Sequence, residues 1–191
     1  MTLRTADEVN RFWFSELTPA DWYKKDDALD DQMRDRFFET WEAAEHLHGS
    51  WGATARGSLA LLILTDQMSR NMMRGHARAF STDWLARAVT KSAIRRGFDL
   101  KIEGSARQFF YLPLEHSEVM QDQEQAVRLI MMRMDAPLML LHARAHREII
   151  RQFGRFPFRN EVLGRKTSAA ERAFLDAGAY GAVLRKLQAE V

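Results

Sequence analysis

Cysteine is absent from all 191 residues, so neither a disulfide framework nor a thiolate zinc site can be built, and any nucleophile has to be oxygen or nitrogen. The longest strongly apolar run, Leu59 to Leu64, falls far short of the roughly 20 residues that cross a bilayer, so neither a membrane span nor a membrane partner is expected. The chain reaches Asp7 and Glu8 without the apolar stretch of a signal peptide, and the expected location is cytoplasmic. A glycine-rich phosphate loop and a Rossmann pattern are both missing, and no cofactor is expected. No stretch alternates apolar and polar residues cleanly enough to read as a strand, and no linker, low-complexity tract or 34-residue repeat appears.

What is present is the composition of a folded protein, 46% hydrophobic and 28% charged, at a length that fits one domain over residues 1–191. Net charge is only +2, yet the signs are segregated. Residues 1–50 hold twelve Asp or Glu against six Lys or Arg. Between residues 140 and 166 the balance reverses, with Arg144, Arg147, Arg151, Arg155, Arg159, Arg165 and Lys166 facing only Glu148 and Glu161. Such a stretch forms an anion-binding surface, or else its charges pair with the acidic end of the chain. Nucleic acid is not an expected partner, because no recognised nucleic-acid motif accompanies the basic stretch.

Helical periodicity runs through nearly every segment, and the expected class is all-α with about eight or nine helices. Thr5 and Glu8 have capping-box spacing, opening a first helix that ends after the block Phe12, Trp13 and Phe14. A second helix is expected from about Asp26 to Leu47, closed by Gly49, with Met33, Phe37, Trp41 and Ala44 on one stripe. The segment from Gly57 to about Gln67 is apolar all round and suits a central helix. Later helices are expected after Ser81 or Thr82, from about Glu103 to Leu112, from about Ser117 to Met134, and from Pro137 to Phe153. Ser168 with Glu171 supplies a second capping box. Trp41, Trp51 and Trp84, and Met131, Met132, Met134 and Met139, are expected in core or inter-helix packing.

Three segments depart from amphipathic patterning: Asp66-Gln67-Met68-Ser69-Arg70-Asn71, then Pro113-Leu114-Glu115-His116-Ser117-Glu118, then Phe153-Gly154-Arg155-Phe156-Pro157-Phe158-Arg159-Asn160 followed by Leu163-Gly164-Arg165. Together they resemble the bacterial family known as domain of unknown function 924, whose members look like Asp-Gln-Phe-Pro-Arg-Asn, Pro-Leu-Glu-His-Ser-Glu and Phe-Gly-Arg-Phe-Pro-His-Arg-Asn at these points. The resemblance extends from Phe12-Trp13-Phe14 to Arg165. It implies helical hairpins in a right-handed, tetratricopeptide-like array and implies no activity. Met68-Ser69 stands where the family tends to have Phe-Pro, and Phe158 where it tends to have His.

Three chemistries are open to these residues. Arg70, Arg155, Arg159 and Arg165, with Asp66, Asn71 and Asn160, could form a pocket in which guanidinium forks hold a small anionic ligand or a peptide carboxylate, with His116 setting the pH response. The alternative is that the same groups satisfy one another, as the four-residue spacing of Asp66 and Arg70 allows. Glu115, His116 and Glu118 could instead serve as the acid/base group of a hydrolase-type enzyme, joined by His146 as a second imidazole, whereas Ser117 suits a helix cap. His142 and His146 share a helix face, but two histidines without further ligands do not make a metal site, and no metal is expected. A protein-interaction scaffold is the third reading, and either a monomer or a homodimer fits the sequence.

Overall fold

A computed structural model describes residues 3–190. Among them every regular element is helical, and no helix is long and apolar enough to cross a membrane. The chain divides into two compact units, one ending at Pro113 and the other starting at Leu114.

In the N-terminal unit the helices are α1 (Ala6–Arg11), α2 (Asp27–Glu42), α3 (Ala44–Trp51), α4 (Ala55–Leu62), α5 (Ser69–Met72) and α6 (Asp83–Arg95). The one-turn α7 (Leu112–Glu115) spans the division. In the C-terminal unit follow α8 (Met120–Arg133), α9 (Pro137–Phe153), α10 (Ala169–Asp176) and α11 (Ala179–Ala189). That makes eleven α-helical segments among the described residues, where periodicity led us to expect eight or nine. The second expected helix breaks at Ala43 into α2 and α3, and Gly49 lies inside α3, which runs on to Trp51. The central helix carries a π-helical stretch, Ile63–Met68, that separates α4 from α5. The segment expected to be helical after Glu103 is a 3₁₀ turn, Gly104–Phe110, followed by α7.

Apolar periodicity explains the N-terminal core. Leu59 to Leu64 are fully buried, as a helix that is apolar on all sides has to be. Met33, Phe37 and Trp41 bury one face of α2. The block Phe12–Glu16 is itself π-helical, and Trp13 stacks with Trp22 while the edge of each meets Phe109. Both capping boxes form, Thr5 with Glu8 and Ser168 with Glu171. Thr82 stands at the N-cap of α6 without a side-chain bond to it; its hydroxyl donates to the Thr65 carbonyl and accepts from Trp41 Nε1.

The C-terminal unit is organised by α8 and α9, an αα-hairpin whose connection at residues 134–136 is short enough to require antiparallel packing. Pro137 sits in the first turn of α9, where its missing N–H has no helical partner to lose. Gly154 ends the helix at φ 68°, a conformation that other L-residues adopt at a cost. Ile149, Ile150 and Phe156 form the core, with Phe153, Phe174, Tyr180 and Val183 packed against it. Three of the aromatic and methionine expectations fail. Trp84 is 54% exposed, and Met131 and Met132 are 58% and 71% exposed, because these positions fall on the outer faces of α6 and α8.

Candidate functional site

The first motif lies in the N-terminal unit, and its charges meet partners there. Arg70 Nη1 donates to the Asp66 carbonyl at 2.6 Å and lies 3.3 Å from Asp66 Oδ1 and 3.1 Å from Asp83 Oδ1. Burial works against the Arg70 charge, and the two carboxylates outweigh it, holding the guanidinium above its ordinary value. Asn71 Nδ2 donates to Asp30 Oδ1 at 2.8 Å, and Arg74 grips the same buried carboxylate through two hydrogen bonds of 2.6 and 2.9 Å. Asp30 and Asp83, essential to this network, carried no signal of their own in the sequence.

The second and third motifs come together in the C-terminal unit. Between α7 and α8 the backbone turns sharply around the Gln123 amide, whose Nε2 donates to the carbonyls of Glu115 and Ser117, both at 2.6 Å. Ser117 belongs to the same scaffold. Its hydroxyl donates to Asp122 Oδ2 at 2.7 Å and accepts from the Val119 N–H at 3.2 Å, immediately ahead of α8. Gln123 and Asp122 were not singled out by sequence reasoning, since a buried polar residue on a helix looks like a solvated one until the fold is known.

This turn aims Glu118 at the loop after α9. Arg165 donates to both Glu118 oxygens, at 2.7 and 3.1 Å, and the Phe156 N–H donates to Glu118 Oε1 at 2.8 Å. Burial raises the Glu118 carboxyl, but the Arg165 and Phe156 hydrogen bonds, with the charge of Arg159, more than offset it and hold it below the usual carboxylate range. Arg155 is paired in the same bidentate manner with Glu171, at 2.6 and 2.9 Å. These bonds, with the Ser168 N–H, hold the Glu171 carboxyl far below its ordinary value. Asn160, almost wholly buried, bonds Thr167 through Nδ2 at 3.4 Å, and its Oδ1 meets no hydrogen-bond donor. Arg159 lies over the Phe156 ring, 4.4 Å from its centroid, and donates to the His116 carbonyl at 3.0 Å.

Beside Arg159 stands a cluster of imidazoles. His146 Nδ1 lies 3.0 Å from the His142 carbonyl and 3.5 Å from Glu115 Oε2. Both neighbours are acceptors, so Nδ1 carries the proton and Nε2 is left as the basic nitrogen. Glu115 is 1% exposed, and its Oε1 has no hydrogen-bond donor. The His116 ring stands edge-on to His146 at 6.0 Å, and Phe156 and Tyr180 enclose the His146 ring from two further directions, at 5.6 and 4.9 Å. His142, one helical turn before His146, is hydrogen-bonded through Nδ1 to the Tyr180 hydroxyl. Burial lowers the His142 pKa, with the neighbouring His146 adding to the effect, and burial also raises that of Tyr180. Both groups are therefore neutral near pH 7, with the phenol donating to a neutral imidazole. Tyr180 is a member that sequence reasoning missed, lying 38 residues beyond His142.

Among the described residues no group of three His, Asp or Glu side chains is arranged to hold a metal ion. What the arrangement offers is proton transfer: an imidazole fixed in one tautomer, a buried carboxylate beside it and a guanidinium nearby. Of the proposed site residues, Glu115, His116, Glu118, His146, Arg155, Arg159, Asn160 and Arg165 belong to this unit, and Asp66, Arg70 and Asn71 to the other.

The solved structure of a protein of unknown function from Agrobacterium tumefaciens is similar over 91% of this chain and 97% of that one, with a TM-score of 0.85 and 41% sequence identity. No curated protein matches the chain. The model of a bacterial protein family of unknown function, domain of unknown function 924, matches residues 9–179, and the chain belongs to that family.

Proposed function

We propose that the C-terminal unit is an acid/base site acting on a small anionic substrate. His146 Nε2 takes or delivers the proton, Glu115 stabilises the imidazolium that forms, and Arg159 holds the anionic group of the substrate. The observation that carries this reading is the Glu115 carboxylate, buried with an imidazole 3.5 Å from Oε2 and with its Oε1 lacking a hydrogen-bond donor among the described residues. A buried carboxylate is expensive to keep charged, and one placed behind the Nδ1 of a histidine gains most when that ring is protonated. His116, edge-on to His146, is positioned to serve as a second imidazole for the leaving group. The backbone carbonyl one turn earlier, that of His142, fixes the His146 tautomer, while the His142 ring itself is held neutral by burial, with His146 adding to the effect.

Turnover assays on carboxylate- or phosphate-bearing esters, amides and phosphoesters test this directly. Wild-type turnover that disappears in His146→Ala and falls steeply in Glu115→Gln is the expected result. A wild type inert across the whole panel, or a His146→Ala variant as active as wild type, would sink the reading.

A second reading, capture of an anionic ligand or peptide carboxylate without turnover, rests on the Arg159 guanidinium for the anionic group, while the buried Asn160 Oδ1, which lacks a donor, would accept from an N–H or O–H of the same ligand. It predicts a ligand-dependent rise in melting temperature that Arg159→Ala abolishes. The α8–α9 hairpin followed by α10 and α11 also fits the helical-hairpin array of tetratricopeptide-like proteins, a likeness of fold that carries no activity with it.

A further inference from the structure

Two open concavities, of about 520 and 760 Å³, adjoin in the N-terminal unit, where both are bordered by Asp7, Arg56 and Ile102. The smaller is within the range of sites for small molecules. None of its lining residues belongs to the acid/base cluster, so this groove stands or falls independently of that reading.

The charges around the smaller concavity are of both signs and are not used up internally. Asp7 and Arg11 stand four apart on α1, the spacing at which a helix ion pair closes. Among the described residues neither takes part in an ion pair or a hydrogen bond through its side chain; Arg11 acts on Glu16 through its charge. The Arg56 guanidinium, on the first turn of α4, is likewise without a hydrogen bond or an ion pair. This contrasts with Arg70, Arg74, Arg155 and Arg165, each gripped by a carboxylate. The backbone under Arg56 is nevertheless held in place. Asn10, 5% exposed, donates from Nδ2 to the Arg56 carbonyl at 3.0 Å, tying α1 to the start of α4. Phe14, Leu59 and Ile102 supply the apolar part of the lining.

We infer that this groove binds a free α-amino acid with an apolar side chain, its carboxylate on Arg56 and Arg11, its ammonium on Asp7, and its side chain against Phe14, Leu59 and Ile102. Two guanidinium groups and one carboxylate match the two ends of a zwitterion, and a guanidinium fork is suited to a carboxylate. The apolar lining discriminates among amino acids by the area their side chains bury.

The test is a titration of the full chain with leucine, phenylalanine, glycine, N-acetyl-leucine and leucinamide, followed by backbone amide shifts in α1 and the first turn of α4. Leucine and phenylalanine should give saturable shifts at millimolar concentrations, with glycine weaker. N-acetyl-leucine lacks the ammonium and leucinamide the carboxylate, so each should bind roughly tenfold more weakly. Arg56→Gln should weaken leucine by a similar factor without a change in melting temperature, since the guanidinium makes no bond within the protein. Absence of saturable shifts with both leucine and phenylalanine overturns the inference. So does N-acetyl-leucine or leucinamide binding as tightly as leucine, or an Arg56→Gln variant that binds leucine like the wild type.

Discussion

Glu118 receives two hydrogen bonds from Arg165 and one from the Phe156 N–H, whereas Glu115, three residues earlier and more deeply buried, meets the His146 imidazole at 3.5 Å and leaves Oε1 without a donor. The two carboxylates belong to one turn, yet their electrostatic environments are opposite. A carboxylate whose acceptor sites are filled by a fixed cation is a structural element, with little to gain from any change in its surroundings. One that is buried and leaves an oxygen without a donor is not committed in this way, and it stands beside the imidazole that the proposed acid/base site uses. The N-terminal unit repeats the first pattern, with Asp30 held by Arg74 and Asn71, and Asp66 and Asp83 held by Arg70.

If this contrast is right, Glu118→Ala and Arg165→Ala should each lower stability by about 2–3 kcal/mol, the penalty for stranding a partly buried partner. The double variant should lose less than the sum, and urea denaturation of the four-member cycle reads the coupling. Additive losses would mean the pair is incidental. Gly154→Ala supplies a yardstick in the same loop that touches no charge: its φ of 68° and open surroundings predict a loss of about 1 kcal/mol from backbone strain alone. If that loss exceeded the loss from Glu118→Ala, the backbone would be holding the loop and the ion pair would be secondary.

Glu115→Gln should move stability by less than about 1 kcal/mol in either direction, because it keeps the shape of the side chain and an oxygen that can accept from His146 Nδ1. Turnover should nevertheless collapse. A Glu115→Gln variant as unstable as Glu118→Ala would make the two carboxylates alike and remove the basis for the acid/base reading.

The smallest expected effect is in the pH dependence. His142 has a folded pKa below its ordinary value of 6.5. Its neutral form is the one the fold accommodates, so its contribution is fully present above that value and declines as pH falls below it, where the unfolded chain takes up a proton that the folded chain resists. Glu118, lowered in the fold, loses its contribution only on further acidification, through and below the ordinary carboxylate range. His142→Gln, which still accepts from Tyr180, should flatten the stability profile just below 6.5 and leave the more acidic limb unchanged. An unchanged slope below 6.5 would show that His142 titrates alike in both states.

The helical class, the fully buried run Leu59 to Leu64, both capping boxes and the shared face of His142 and His146 were legible because each depends on residues no more than six positions apart. The guanidinium groups of motif three were legible as a set, but not their partners. Arg165 and Glu118 are 47 residues apart, Arg155 and Glu171 are 16 apart, and several arginines compete for every glutamate. Trp84, Met131 and Met132 misled for a related reason: residue type suggests burial, but which helix face is covered depends on where neighbouring helices lie.

The sequence by itself thus determined the helical class, the capping signals, the family and the short list of polar residues from which a site had to be chosen. Only the tertiary structure decided that Arg70, Arg155 and Arg165 are committed to Asp66, Glu171 and Glu118, that Glu115 faces an imidazole, and that Tyr180 and Gln123 belong to the same surroundings. The physical reason is one of range. Helical periodicity and capping act over one or two turns and can be read along the chain, whereas electrostatic satisfaction inside a protein is settled by which distant segments occupy the same few ångströms.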